Sequence, residues 1–214
     1  MTELIFLRHG ETDWNRQQRF QGQIDVPLNA TGELQAARLA SRLGAEPADL
    51  FVSSDLLRAR QTAAPLAATW KLPLQPLPAL REQSFGVLEG LDVPTIKAQH
   101  PELWARWLDH QADYALPGGE SLRQFHTRIM AAVAELAAAQ PGRRIALMTH
   151  GGVLDMLWRT AHGLSLHGLR QCEIPNTGIN RLRWRDGTLD IERWADATHL
   201  DDLPAQPATP AGER

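Results

Sequence analysis

Residues 4–12 read Leu4-Ile5-Phe6-Leu7-Arg8-His9-Gly10-Glu11-Thr12. The four apolar residues have the length and composition of a buried strand, and they give way at once to an arginine, a histidine and a glycine. Cationic or proton-carrying side chains are costly in an apolar core. Arg8 and His9 therefore belong at a strand end, where a crevice or solvent receives them. A solvated strand end would account for this pair taken alone. The same syntax recurs further on, where Ile145 to Met148 leads into Thr149-His150-Gly151-Gly152. Two strand-end histidines, each followed by glycine, point to one site assembled from both ends of the chain.

Residues 3–8 form the first strand. Residues 10–30 are rich in Gln, Asn and Asp, include Gly22 and Pro27, and read as a long loop of the kind that is often functional. Thr31 reads as the N-cap of a helix whose apolar stripe runs from Leu34 to Leu43. Leu50–Ser53 reads as a second strand, and Ser54 as the cap of a helix from Asp55 to about Trp70. Arg58 falls in the first turn of that helix, the end disfavoured for cations, which hints that it serves a site at the strand ends. Leu72–Leu80, broken by three prolines, is at best a short edge strand. Residues 86–119 read as an excursion with two short helical pieces holding Trp104 and Trp107. Ser121 then starts the longest helix, which Pro141-Gly142 ends.

Strand 144–149 and a helix from Gly152 to about Ala161 come next. Ile179–Trp184 and Leu189–Trp194 alternate around Asp186-Gly187, the turn pair of a hairpin. The order of elements predicts an α/β fold with three layers: a mainly parallel central sheet, helices on both faces and a small helical cap insertion. In such sheets ligands bind outside the carboxyl ends of the strands, where His9 and His150 fall. The expected organisation is one domain over 1–203 with a loosely held tail at 204–214.

With 214 residues, 43% hydrophobic and 22% charged, the composition is that of a globular protein. A formal net charge of −3 supplies no global field for nucleic acid or an anionic membrane, so neither is expected as a partner. An anion must be held by a local cluster of positive charge. The single cysteine, Cys172, excludes an internal disulfide, fits a reducing compartment and reads as a small strand residue. No apolar run approaches the length of a membrane helix, and no signal peptide is visible, so the expected location is cytoplasmic. None of the eight histidines stands in an H-x-x-H or H-E-x-x-H spacing. No metal and no cofactor are expected.

Four segments in order, Leu7 to Thr12, Ser54 to Thr62 (Ser-Asp-Leu-Leu-Arg-Ala-Arg-Gln-Thr), Arg81-Glu82 and Thr149 to Gly152, resemble the histidine phosphatase superfamily, which includes the cofactor-dependent phosphoglycerate mutases. The resemblance covers roughly residues 1 to 200. It implies that His9 is the nucleophile that becomes phosphohistidine and that Arg8, Arg58 and His150 hold the phosphoryl oxygens. It further implies that Asn15 adds a hydrogen bond and that Glu82 donates the proton. These roles make physical sense. A transferring phosphoryl group spreads charge over three oxygens, and arginine forks match them. A second, protonated histidine and N–H groups at Gly151-Gly152 would add to the cradle. Glu82 must carry a proton for the departing alkoxide and then take one from water.

Gln21 and Gly22 in the long loop and Phe85 beyond Glu82 are the further candidates for substrate contact; a polar turn is the competing reading of Gln21-Gly22. Trp104, Trp107 and Tyr114 could line a leaving-group pocket or form the excursion's own core. Arg60 and Glu11 read as structural, and the six remaining histidines, His110 among them, as structural or exposed.

Mutases usually carry Phe-Thr-Gly or Phe-Ser-Gly where this chain has Phe20-Gln21-Gly22, and tyrosine where it has Phe85. They also carry a longer insertion with a lysine and paired arginines, whereas 86–119 holds only Lys97 and Arg106. The missing clamp argues for hydrolysis. The short cap and the Pro117 to Ser121 run resemble the bacterial branch of broad-specificity and α-ribazole phosphatases. The expectation is a metal-independent phosphomonoesterase acting on a small molecule, with a 2,3-bisphosphoglycerate-dependent mutase as the alternative. Oligomeric state is left open, a homodimer being the one protein partner entertained.

Overall fold

The computed structural model describes residues 1–109, 111–204 and 206. Most of the expected tail at 204–214, and His110, lie outside them. The described residues form a mixed sheet of six strands in the order β3-β2-β4-β1-β5-β6. Its strands are β1 (Thr2–Arg8), β2 (Leu50–Ser53), β3 (Leu74–Pro76), β4 (Arg144–Thr149), β5 (Ile179–Arg185) and β6 (Thr188–Asp196). β1, β2, β3 and β4 run parallel, and the β5–β6 hairpin adds antiparallel to β1. β3, the proline-broken piece, is indeed an edge. In the β1–β4 register Arg8 lies opposite Thr149, so the two His-Gly sequences leave neighbouring strands side by side.

Side chains of β1 alternate between two cores. Leu4 and Phe6 pack with Phe125, Ile129 and Val133 of α6 (Leu122–Ala139) and with Val153, Leu154 and Leu157 of α7 (Gly151–Ala161). Ile5 and Leu7 pack with Leu39 and Leu43 of α2 (Ala30–Leu43) and with Ala59, Ala63 and Leu66 of α3 (Leu57–Trp70). This is the three-layer arrangement read from the sequence. Above the strand ends a third, smaller core gathers Phe20, Leu88, Ile96 and Leu116. It holds the excursion with its helices α4 (Val93–Gln99) and α5 (Pro101–Leu108).

Local expectations are corrected in several places. The 10–30 loop contains a short helix, α1 (Asp13–Arg16), closed by a Thr12/Asn15 capping box. α2 is capped by Asn29, whose side chain accepts from Gly32 N–H, and not by Thr31, which lies inside the first turn. α3 starts at Leu57 and not at Asp55, because its first N–H groups find other partners: Asp25 Oδ1 accepts from Leu57 N–H at 2.7 Å. Ser54 Oγ accepts from Leu56 N–H at 3.3 Å and turns its other face to His150. α7 begins one residue early, at Gly151. Cys172 is in no strand; it lies in the loop between α7 and β5, half-buried, and burial pushes its thiol up to about 12. Among the described residues no helix is long and apolar enough to cross a membrane.

Candidate active site

One cavity lies at the carboxyl ends of the parallel strands, and Arg8, His9, Asn15, Gln21, Gly22, Arg58, Glu82, Phe85 and Gly151 all line it. His150 stands just behind the wall, its ring centroid 5.1 Å from that of His9. The four sequence segments thus converge as anticipated. Each is held by bonds that the local chain dictates.

His9 is 3% exposed. Its Nδ1 donates to the carbonyl of Gly10 at 2.7 Å, which directs the unprotonated Nε2 away from the backbone. Burial first, then Arg58 and Arg8, push its pKa well below the ordinary histidine value, so the ring is neutral. His150 Nε2 pairs with Ser54 Oγ at 2.7 Å, while its buried Nδ1 has no hydrogen-bond partner. Burial, Arg58, His9 and Arg8, in that order, push its pKa well down too. The expectation of a protonated second histidine concerns the phosphate-bound site; in the ligand-free site, burial and two guanidinium groups favour a neutral His150.

Arg58, the misplaced cation of the α3 first turn, is fully buried. Its two terminal nitrogens donate to the carbonyls of Gly22 and Ile24 at 2.7 and 2.9 Å, pinning the long loop over the strand ends. Arg8 NH1 donates to the carbonyl of Ile174. The Nε atoms of both arginines are buried without partners. Burial lowers both pKa values to about 10, which leaves both guanidinium groups charged at neutral pH.

Glu82 is fixed from both sides. Its Oε2 accepts from Gly152 N–H at 3.0 Å and its Oε1 from Gln83 N–H at 2.9 Å. Asn15 lines the cavity, but its Oδ1 is occupied by Thr12 N–H at 3.0 Å, so its amide nitrogen is what it can offer a ligand. Gln21 Oε1 is buried and unpartnered. Phe85 meets Phe20 edge-on at 5.1 Å. Of the aromatic candidates, Trp107 and Tyr114 line the cavity, whereas Trp104 stacks on Trp107 in the cap core. Glu11 is structural, receiving Asn29 Nδ2 at 2.8 Å.

Several wall residues escaped the sequence reading. Arg19, Arg106, Arg159, Arg170, Asp155 and Glu120 also line the cavity. Arg19 and Arg170 bring positive charge to the cavity from outside 86–119, although Arg19 also bonds the Gly90 carbonyl and faces Asp92. Asp155 lies one helical turn beyond Gly151-Gly152 and would follow from that spacing. The arginines come from separate places with no shared pattern: Arg106 from α5, Arg159 from α7, and Arg19 and Arg170 from outside the helices and strands. Glu89 also went unnoticed. Its Oε1 accepts from Gln23 N–H, Ser84 Oγ and Phe85 N–H at 2.9–3.2 Å, tying the long loop to the segment after Glu82. No group of three or more His, Cys, Asp or Glu side chains among the described residues is placed to hold a metal ion.

A mixed α/β sheet with two histidines and two buried arginines at its strand ends defines a phosphate-handling enzyme, and the comparisons with known proteins agree. The sequence profile of the Histidine phosphatase superfamily (branch 1) matches residues 4–197. A metal-independent phosphoserine phosphatase of Arabidopsis thaliana is 37% identical over 206 residues, covering 95% of this chain and 85% of that protein. A probable phosphoglycerate mutase, GpmB, of Enterobacter sp. (strain 638) is 34% identical over 94% of this chain and 96% of its own length. The solved structure of a mycobacterial glucosyl-3-phosphoglycerate phosphatase in complex with VO3 superposes with a TM-score of 0.80 at 33% identity, covering 90% of this chain and 98% of that one. The chain belongs to the histidine phosphatase superfamily, branch 1. Within it the protein is a phosphatase, acting on small phosphate esters.

Proposed function

We propose that the protein is a metal-independent phosphomonoesterase that works through a phosphohistidine on His9. The observation that carries this reading is the pairing of a neutral His9, held by Gly10 through Nδ1, with Glu82 and two buried arginines around one cavity. Nε2 of His9 attacks phosphorus, the phosphorus–oxygen bond to the alcohol breaks, and Glu82 gives its proton to the departing oxygen. Glu82 then takes a proton from water as the water oxygen attacks phosphorus. The phosphorus–nitrogen bond breaks, returning neutral His9 and free phosphate. Arg8, Arg58 and a His150 that gains its proton on binding the dianion balance the charge on the equatorial oxygens. Asn15 and the N–H groups at Gly151 and Gly152 add donors. Gln21, Gly22 and Phe85 shape the entrance. Because these cations supply the positive field, the scheme requires no divalent ion.

Rapid quench with a labelled ester tests the reading. An acid-labile, base-stable phosphoprotein should form in the wild type and be absent from His9→Ala, with inorganic phosphate accumulating in excess chelator. Label on His9→Ala would end the assignment. The mutase alternative is separated by supplying 3-phosphoglycerate with a trace of 2,3-bisphosphoglycerate. Appearance of 2-phosphoglycerate with little free phosphate would favour it. Gln21 and Phe85 support hydrolysis, while the additional wall arginines weaken the argument from a missing clamp. α-Ribazole phosphate, whose alcohol carries no anion, is disfavoured by those same arginines.

A further inference from the structure

Arg170 is a cavity-wall cation with no carboxylate matched to it. Elsewhere around the site Arg81, Arg128 and Arg159 each face a carboxylate, on Asp55, Glu120 and Asp155 respectively. Arg170 has no ion-pair partner among the described residues, and its Nε is buried without a hydrogen bond. Its charge is near enough to Arg8 to be, after burial, the largest influence lowering that residue. Glu82 offsets part of that effect on Arg8, but no carboxylate among the described residues pairs with Arg170, and an anion beside it would relieve the repulsion between like charges.

The loop that presents Arg170 is built to hold it there. Arg159, 3% exposed on α7, donates through its terminal nitrogens to the carbonyls of Ser165, His167, Gly168 and Leu169 at 2.7–3.0 Å. Its Nε meets Asp155 Oδ2 at 3.1 Å. Beyond Arg170 the same loop is tied down by Arg8 through Ile174. His167 receives Ala112 N–H at 3.4 Å, which joins the loop to the cap. The cap contributes Arg106, exposed and seated 4.6 Å over the ring of Tyr114. An alcohol group attached to a phosphoryl at His9 must leave through the cavity whose walls carry these two arginines.

We infer that Arg170, with Arg106 on the wall of the same cavity, is a specificity-determining residue that binds a second anionic group, a carboxylate or a further phosphate, on the alcohol of the substrate. This rests on the phosphatase reading above and narrows its substrate class to esters of anionic alcohols. Asp155 does not cancel the charge, since Arg159 is its partner.

The test compares esters that differ only in the second anion: 3-phosphoglycerate against glycerol 3-phosphate for a carboxylate, and fructose 1,6-bisphosphate against fructose 6-phosphate for a phosphate. Wild type should favour at least one anionic member. Arg170→Gln should lower kcat/KM for that member about tenfold, chiefly through KM, as expected for a lost charge-assisted hydrogen bond. The neutral member should change by less than about twofold, and Arg170→Lys should recover part of the loss. Equal losses for both members would move Arg170 into the phosphoryl cradle and overturn the inference, as would no change in either. Calorimetric binding of the same esters to His9→Ala, with and without Arg170→Gln, reads the contrast without turnover. A binding contrast with no hydrolysis by the wild type would sink the phosphatase reading alone, and hydrolysis without the contrast would sink this inference alone.

Discussion

Glu82 Oε2 accepts the backbone N–H of Gly152 at 3.0 Å, and a methyl group placed on Gly152 would fall 2.1 Å from Glu82 Oε1. The helix start therefore holds the carboxyl and leaves no room for a side chain. A methyl on Gly151 would meet nothing closer than Arg8 Nε at 3.5 Å, an ordinary contact. Gly152→Ala should lower kcat for alkyl phosphates by about a hundredfold, the low end for loss of a positioned general acid. Gly151→Ala should stay within a few-fold. p-Nitrophenyl phosphate, whose leaving group needs little protonation, should be much less affected by Gly152→Ala. Equal losses on both ester types would mean that Glu82 is not the proton donor.

The contrast between these two glycines also shows where sequence reading reaches its limit. His9 and His150 were legible because each terminates an apolar strand, and Arg58 because a cation at the start of a helix needs a reason. Gly151 and Gly152 looked alike in sequence, and only the approach of Glu82, 70 residues away along the chain, separates them. Nothing in the sequence singles out Arg159 and Arg128, since helical periodicity does not reveal which loop carbonyls will gather round a guanidinium. Arg170 sits in a loop without periodicity, and nothing local marks it. The helix starts at 30 and 57 differ from the expected ones for a related reason: the groups that accept the first N–H groups, Asn29 and the distant Asp25, compete with equally plausible Thr31 and Ser54.

A neutral His150 implies that binding a dianion draws in a proton. Sulfate is a suitable probe because it does not titrate near neutrality. Calorimetry in buffers of different ionisation enthalpy at pH 6.5–7 should show net proton uptake on sulfate binding. His150→Gln should reduce that uptake. Zero uptake by the wild type would mean that His150 keeps one protonation state in the free and bound site, and would remove its charging from the scheme.

The same depression sets an acid limit on stability. His9 and His150 have folded-state values well below 6.5, so as pH falls through 6.5 the unfolded chain takes up protons that the folded chain refuses. Stability then falls with pH from about 6.5 downward, and the loss continues until the folded-state values are reached. Thermal melts should show Tm declining between pH 7 and about 5, above the range where most carboxylates titrate. The decline should be shallower in His150→Gln, and saturating sulfate should restore part of it. A Tm independent of pH across this window would contradict the buried, neutral state of both rings.

Arg128 supports Glu82 from below the chain that carries it. Its Nε and NH2 meet Glu120 Oε1 and Oε2 at 2.9 and 2.7 Å. Its NH1 donates to the carbonyls of Ala79 and Arg81 at 2.8 and 3.1 Å, and its NH2 reaches that of Glu82 at 3.3 Å. Glu120 in turn receives Ser84 N–H at 3.0 Å, so one guanidinium fixes both sides of the Glu82 turn. Lysine keeps the charge but cannot reproduce a planar fork bonded on three edges. Arg128→Lys should cost about 1–3 kcal/mol of stability in denaturant titration, as expected for partly buried, charge-assisted hydrogen bonds. If Arg128 positions Glu82, kcat for alkyl phosphates should fall several-fold more than kcat for p-nitrophenyl phosphate, with KM nearly unchanged. A uniform loss on both esters that tracks the lower stability would make Arg128 a support of the fold alone, and would leave the placement of Glu82 to Gly152 and Gln83.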